Sequence, residues 1–374
     1  MTLALSLIVK DETWQLKRLL ESIKGIPFDE KVIVLTSDSE ETKRIAEEFG
    51  CKTFNFKWVN NYSAARNYSL SQCKTDYVAW FDADDEVENP HLLMELLGDM
   101  IKKGATNLRL PYLYKKEDGS VFMTIFRERI IKNGSYKWTG ALHETLETRL
   151  NETPLFSDTV KVIHHWDENK GRYSRNLIIS ESSYKENKCL VTAFAYSMSL
   201  ADMEKQGEAL EIIKNYPLVD VHPQYHYFVL IFKGELALHL KLYDDAITYF
   251  KEANVLFPEL GEPLFRMAEV FHFQKEYEKV FKYCSKGFYL NEPYHWIMPV
   301  KHENYRLRPA KIYAYALNKL GQQKMALAVV SETINSYQDD TWLQKFRREV
   351  TKDLLIQEVL DERNKTDILQ NTTR

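Results

Sequence analysis

Four carboxylates fall within the five residues Asp82-Ala83-Asp84-Asp85-Glu86, directly after the apolar run Tyr77-Val78-Ala79-Trp80-Phe81. At the carboxyl end of a buried strand, charges so close repel one another unless something cationic neutralises them. A divalent metal with hard oxygen ligands does this, and it can bridge to the phosphates of a substrate. The competing reading is a solvated acidic turn leading into the next helix. Farther along, the apolar run Val160–Ile163 ends in His164-His165-Trp166. Adjacent histidines on a strand point to opposite faces, so at most one of the two can reach a shared site.

The elements that must position these residues alternate in type. Leu3–Val9 and Lys31–Leu35 are short runs rich in Val, Ile and Leu, as expected of parallel strands buried on both faces. Between them, Leu16, Leu19, Leu20 and Ile23 recur at the spacing of one helix face. A helix around Glu41–Phe49, a strand at Thr53–Phe56 and a helix from an N-cap at Ser63 to about Cys73 follow. The strand Tyr77–Phe81 then precedes a helix marked by Leu93, Leu96, Leu97 and Met100. Leu108–Tyr114 and Val121–Phe126 flank a turn centred on Asp118-Gly119, which is a hairpin signal. This order predicts an α/β domain with a mainly parallel sheet. In such sheets ligands bind outside the carboxyl ends of the strands.

From about Lys188 the pattern becomes helical and repetitive. Tyr243 and Tyr277 lie one tetratricopeptide period apart, as do Ala253 and Gly287. Looser copies surround Gly207-Glu208-Ala209-Leu210 and Leu320-Gly321-Gln322, and an insertion carrying Tyr294-His295-Trp296 and Lys301–Arg306 interrupts the array. Tyr225, Tyr227, Phe228, Tyr249, Phe250, Phe271 and Phe273 are expected in the repeat core. The insertion is the candidate for acceptor contact or dimer packing. The charged tail after about Lys352 reads as a final helix that frays into disordered polar residues. The expected domains are therefore 1–168, a connecting segment 169–190, repeats over 191–340, and a helix with its tail over 341–374.

The chain has 374 residues and a formal net charge of −4, with 44% hydrophobic residues. That balance excludes a disordered chain, and it supplies no global field to draw polyanions, so nucleic acid is not the favoured partner. Cys51, Cys73, Cys189 and Cys284 form no C-x-x-C pair and suit reduced thiols in a cytoplasmic protein. The apolar start lacks a positive n-region and runs into Lys10-Asp11-Glu12, so it reads as a strand and not a signal segment. No apolar stretch is long enough to span a membrane.

Leu5–Glu12, Val32–Thr42, Tyr62-Ser63-Ala64-Ala65-Arg66-Asn67 and Trp80–Glu86 occur in the order found in family-2 glycosyltransferases. The first half of the chain resembles that family, which has the GT-A fold and a D-x-D motif. A branch of it joins a compact GT-A domain to tetratricopeptide repeats, and bacterial peptide S-glycosyltransferases look like this overall. The resemblance implies that Asp82 holds the donor ribose and that Asp84 coordinates Mn²⁺ or Mg²⁺ on the diphosphate, with Ala83 between them. It implies that Arg66 contacts the nucleotide and that the loop Val9-Lys10-Asp11-Glu12 lines the nucleobase pocket. After the second strand the family usually has an Asp that reads the base. This chain has Thr36-Ser37-Asp38, where Asp38 is the substitute after a local shift.

Trp138-Thr139-Gly140-Ala141-Leu142-His143-Glu144 is similar to the family segment that supplies the catalytic carboxylate. Glu144 is accordingly the expected general base, beside an aromatic residue able to stack on a sugar. The family often takes a third metal ligand where His164 stands. Arg172 and Arg175, in Lys170–Arg175, would stabilise the departing diphosphate; a solvated helix start is the alternative. The implied function is an inverting, metal-dependent transfer of a hexose from UDP-glucose, UDP-GlcNAc or a similar nucleotide sugar to a hydroxyl or thiol. The acceptor is a peptide or protein side chain, a surface glycan, or a modified nucleobase in phage DNA met by Arg127, Arg129 and Lys132. A homodimer through the repeats is compatible. A nucleotidyltransferase ranks lower because no glycine follows the first strand, and a repeat scaffold with an inactive first half is the non-enzyme alternative.

Overall fold

The apolar run Leu3–Val9 forms β1, with Leu3, Leu5 and Leu7 buried on one face and Ala4 in a second cluster on the other. In the computed structural model, residues 1–148, 150–166, 172–218 and 221–372 are described, Arg172 and 363–372 by their backbone alone. After β1 come α1 (Thr13–Ser22), β2 (Glu30–Leu35), α2 (Glu40–Glu48), β3 (Lys52–Asn55), α3 (Tyr62–Gln72) and β4 (Tyr77–Trp80). Leu16, Leu19 and Leu20 make the buried face of α1, as their spacing predicts. The strands run β3-β2-β1-β4, all parallel, so the ends of β1, β2 and β4 open on one edge.

The helix expected to start at Ser63 starts earlier. Asn61 is the N-cap of α3, its Oδ1 accepting the Ala64 N–H at 2.9 Å, and the Ser63 hydroxyl donates to the same oxygen.

Beyond β4 lie β5 (Asp85–Glu88), α4 (Leu93–Lys102), β6 (Asn107–Lys115), β7 (Val121–Lys132), β8 (Tyr136–Thr139), β9 (Thr145–Thr148), β10 (Pro154–Phe156) and β11 (Lys161–His165). The sheet continues β4-β7-β6-β11-β5, with β7 antiparallel to both neighbours and β11 parallel to β6. The Asp-Gly hairpin forms as expected, with Gly119 at φ +84. The pairing with most bearing on function is that of β5 with β11, which sets His164 opposite Asp85. The small β8–β9 hairpin carries Gly140 at φ +89 in its connection and delivers Glu144 to the sheet's open edge.

The helical part comprises α5 (Arg172–Glu186), α6 (Leu190–Asp202), α7 (Gln206–Ile213), α8 (Pro223–His239), α9 (Tyr243–Leu256), α10 (Glu262–Phe273), α11 (Tyr277–Gly287), α12 (Leu307–Lys319), α13 (Gln323–Ser336) and α14 (Thr341–Thr372). α9 and α11 start at Tyr243 and Tyr277, the pair that carries the repeat period. Gly234 of α8 meets the buried Phe250 ring so closely that a Cβ there would collide, which explains the small-against-large alternation of the repeat. By packing, the chain divides into one unit of Met1–Val229 with Tyr294–Val300 and another of Leu230–Pro293 with Lys301–Arg374.

Two expectations for this part need correction. Phe273 is 56% exposed and no core residue, whereas Tyr227, Phe250 and Phe271 are buried. The insertion's aromatic start packs within the first unit: the Trp296 carbonyl accepts the Phe126 N–H at 2.8 Å and His295 stacks on Phe156 at 4.8 Å. Trp296, itself buried, is thus a packing residue and no acceptor contact. The expected final helix is α14, Thr341–Thr372. Among the described residues no helix is long and apolar enough to cross a membrane.

Candidate active site

An open cleft of about 370 Å³ lies at the carboxyl ends of β1, β2 and β4. Of the residues expected to bind a donor, Val9, Lys10, Glu12, Thr36, Arg66, Asp82, Ala83 and Arg175 line it, together with Asp84. Asp38 is exposed and is not among the lining residues. Lys170 and Gly171 lie outside the described residues, as does the side chain of Arg172. Trp58 and Tyr62 also line the cleft, edge to face at 4.8 Å, and Arg175 sits 5.8 Å over the Tyr62 ring. Neither aromatic residue was among the expected binders. Tyr62 opens the Tyr62–Asn67 segment that carries the resemblance, whereas Trp58 has no sequence signal of its own.

The acidic run is not a solvated turn. Asp85 is fully buried, where its Oδ2 accepts the Asp82 N–H at 2.9 Å and its Oδ1 accepts the Tyr112 hydroxyl at 2.8 Å. Arg129, also fully buried, brings Nη1 to 3.5 Å from Asp85 and stacks on Trp80 and Tyr112. Burial and the neighbouring Asp82 charge push the Asp85 carboxyl upward against the pull of Arg129. Asp82 goes the other way. Burial opposes its charge, but Arg66, Arg129 and Arg127 outweigh it and hold the carboxyl well below the usual carboxylate range. Arginines therefore neutralise much of the charge that the sequence alone assigned to a metal.

Asp84 and His164 form the other end of the cluster. His164 Nδ1 lies 3.4 Å from Asp84 Oδ1, 3.7 Å from Asp85 Oδ1 and 3.0 Å from the Tyr112 hydroxyl. Burial disfavours the imidazolium, yet Asp84 and Asp85 prevail and push His164 up to about 10. A divalent cation would compete with protonation of His164 for the same ligands. Ligand atoms of Asp84, Asp85 and His164 lie within 4.8 Å of one another, so the donor set fits a hard or borderline cation. Both oxygens of Asp85 are already engaged, which leaves Asp84 and His164 as the pair better placed to hold it. His165 points the opposite way, to Glu86 at 2.8 Å, as strand alternation requires.

Arg66 joins the two carboxylates that the resemblance singled out. From the buried face of α3 its Nη2 reaches Asp82 Oδ1 at 2.5 Å and its Nε reaches Glu144 Oε1 at 2.7 Å. Trp80 and Trp138 flank the guanidinium at 5.0 and 4.9 Å. Trp138 is only 2% exposed, so it packs against Arg66 and Trp80 and offers no face to a sugar. The basic residues suggested for phosphate contact also need revision. Arg129 has no exposed surface and cannot meet a nucleic acid, while Arg127 turns its Nη2 to the Glu144 carbonyl at 3.4 Å. Tyr112, which binds Asp82, Asp85 and His164 at once, was not expected.

Residues 8–166 match the model for glycosyl transferase family 2. The chain is 24% identical over 226 residues to the SPbeta prophage-derived glycosyltransferase SunS of Bacillus subtilis, which covers 57% of this chain and 52% of that one. It is 36% identical over 84 residues to a TPR repeat-containing protein of Synechococcus elongatus, covering 22% of this chain and 21% of the relative. The chain thus spans between about a fifth and a half of the length of these curated relatives. Among solved structures, S. aureus TarS 1-349 in complex with UDP-GlcNAc is similar with a TM-score of 0.39 and 12% identity, over 68% of this chain and 88% of that one.

Proposed function

We propose, for a chain whose residues 8–166 match the model for glycosyl transferase family 2, that the protein moves a hexose from a nucleoside-diphosphate sugar to a hydroxyl or thiol with inversion. The observation that carries this reading is Arg66 tying Asp82, in the donor cleft, to Glu144 at its rim. Val9, Lys10, Glu12 and Thr36 would take the nucleoside, Asp82 its ribose, and Arg175 the diphosphate. Asp84 and His164 would hold Mn²⁺ or Mg²⁺, which would supply charge neutralisation to the leaving diphosphate. Glu144 would remove the acceptor's proton as its oxygen or sulfur bonds to the anomeric carbon and the bond to the β-phosphate oxygen breaks. The flanking Trp80 and Trp138 would keep water from the Arg66 ion pairs.

Calorimetry with UDP-glucose and UDP-GlcNAc, with and without Mn²⁺, tests the reading. Metal-dependent binding is expected, and a scaffold with an inactive first half would show none. Glu144→Gln is expected to lower transfer by roughly 10²- to 10⁴-fold, the usual weight of a general base. It should leave UDP affinity in place; a simultaneous loss of UDP binding would assign Glu144 to the donor.

We take a peptide or protein side chain as the acceptor class, by analogy with enzymes that join such a domain to repeats. A cytoplasmic location fits four free cysteines. The working division is a transferase over 1–168, a connection over 169–190, repeats over 191–340 and a last helix. That helix, α14, exposes Leu355, Ile356, Val359 and Leu360. Arg348 and Lys352 precede this stripe, and Glu358, Asp361 and Glu362 flank or follow it. An antiparallel second copy would place opposite charges across an apolar seam, so a homodimer is part of the proposal. Sedimentation should show a dimer that Leu355→Glu with Val359→Glu converts to monomer; a wild-type monomer at micromolar concentration would sink this part.

A further inference from the structure

We propose that Arg127 reads the transferred sugar, its guanidinium donating to adjacent hydroxyl oxygens of the hexose, and that it thereby sets donor choice. The inference rests on the transferase reading above and gives the sugar end of that site its recognition residue.

Three arginines stack on Trp80 beside the acidic centre. Arg66 is taken up by Asp82 and Glu144, and Arg129 is directed at Asp85. Arg127 differs: among the described residues no carboxylate pairs with it, and its hydrogen bond is a long one, 3.4 Å to the Glu144 carbonyl. A guanidinium carries five donors in a fixed fork, and a half-buried one with so little to bond is stabilised by a ligand offering two oxygens side by side. Its packing keeps the head in place, since the Trp80 ring lies 5.1 Å beneath it.

Position argues for the sugar and against the nucleotide. Arg127 does not line the cleft that Val9, Lys10, Thr36 and Arg175 line. Its Nη2 meets the backbone carbonyl of Glu144, the proposed base, and its head shares the Trp80 ring with Arg66, which holds Asp82 at the donor end. Between a nucleotide in that cleft and the base, the group left to recognise is the hexose. Tyr114, whose hydroxyl responds to Arg127 and whose ring lies 5.1 Å from that of His164, borders the same space.

The test compares Arg127→Lys and Arg127→Met with the wild type, using Mn²⁺ with UDP alone, UDP-glucose and UDP-GlcNAc. Lys keeps the charge over Trp80 but cannot bridge two oxygens. Both variants are expected to bind UDP as the wild type does. KM in nucleotide-sugar hydrolysis should rise about tenfold or more, as loss of a charged hydrogen bond implies, and the preference between the two sugars should narrow. A parallel fall in UDP affinity would assign Arg127 to the diphosphate and overturn the proposal, as would unchanged KM and preference in folded variants. No metal-dependent UDP binding by the wild type would overturn the transferase reading and this assignment with it. Thermal unfolding of each variant separates a folding defect from a recognition defect, and Lys supplies the readout where Met fails to fold.

Discussion

Asp84→Asn is expected to cut sugar transfer by on the order of 10³-fold while leaving the fold nearly untouched. The substitution keeps shape and removes the charge that, with His164, would hold a divalent cation. Loss of that neutralisation forfeits several kcal/mol as charge develops on the leaving group. The turn keeps its anchor because the backbone carbonyl of Asp84 takes the 2.6 Å hydrogen bond from Arg18 Nη2, and what the fold loses is the side chain's ion pair with His164. Burial of the neighbouring Asp85 keeps the turn in shape as well. Release of nucleoside diphosphate across a Mn²⁺ titration, beside a melting curve, reads both effects. Full activity in this variant would remove the metal from the mechanism.

Arg129→Met is expected to destabilise the first unit by about 3–5 kcal/mol, the usual result of stripping one partner from a buried ion pair. Both Arg129 and Asp85 are 0% exposed, so water cannot take over the solvation of the carboxylate left behind. Met restores much of the volume over Trp80 and Tyr112, so the loss reports on charge more than on a cavity. Adding Asp85→Asn should recover part of the stability by removing the stranded charge, a coupling that a double-mutant cycle measures. Denaturant unfolding followed by tryptophan fluorescence is the measurement. A loss under about 1 kcal/mol would mean that Asp85 is neutral in the folded protein and needs no counter-ion.

Much of the architecture was legible in residue order. A short continuous apolar run located β1, period-3.6 apolar spacing located α1 and α4, the tetratricopeptide period located the repeat helices, and the Asp-Gly turn located the β6–β7 hairpin. The His164/His165 alternation also read correctly, because it depends on local geometry. What escaped depends on contacts distant in sequence. Tyr112 is an ordinary strand tyrosine until β11 and the end of β4 come to lie beside it. Arg127 and Arg129 looked like a basic surface, although the strand's period of two puts both on the face that the acidic turn covers. Trp138 looked like a sugar platform because an aromatic residue beside a carboxylate suits one, but its neighbour in space is Trp80. For the N-cap of α3, Asn61 and Ser63 were equally good by type, and only the backbone decides between them.

The guanidinium of Arg66 ties two carboxylates into one electrostatic lever. A donor that drew on Asp82 would loosen that carboxylate's hold on Arg66 and free the guanidinium to follow Glu144, so the carboxylate at the rim would keep its counter-ion whether the cleft is filled or empty.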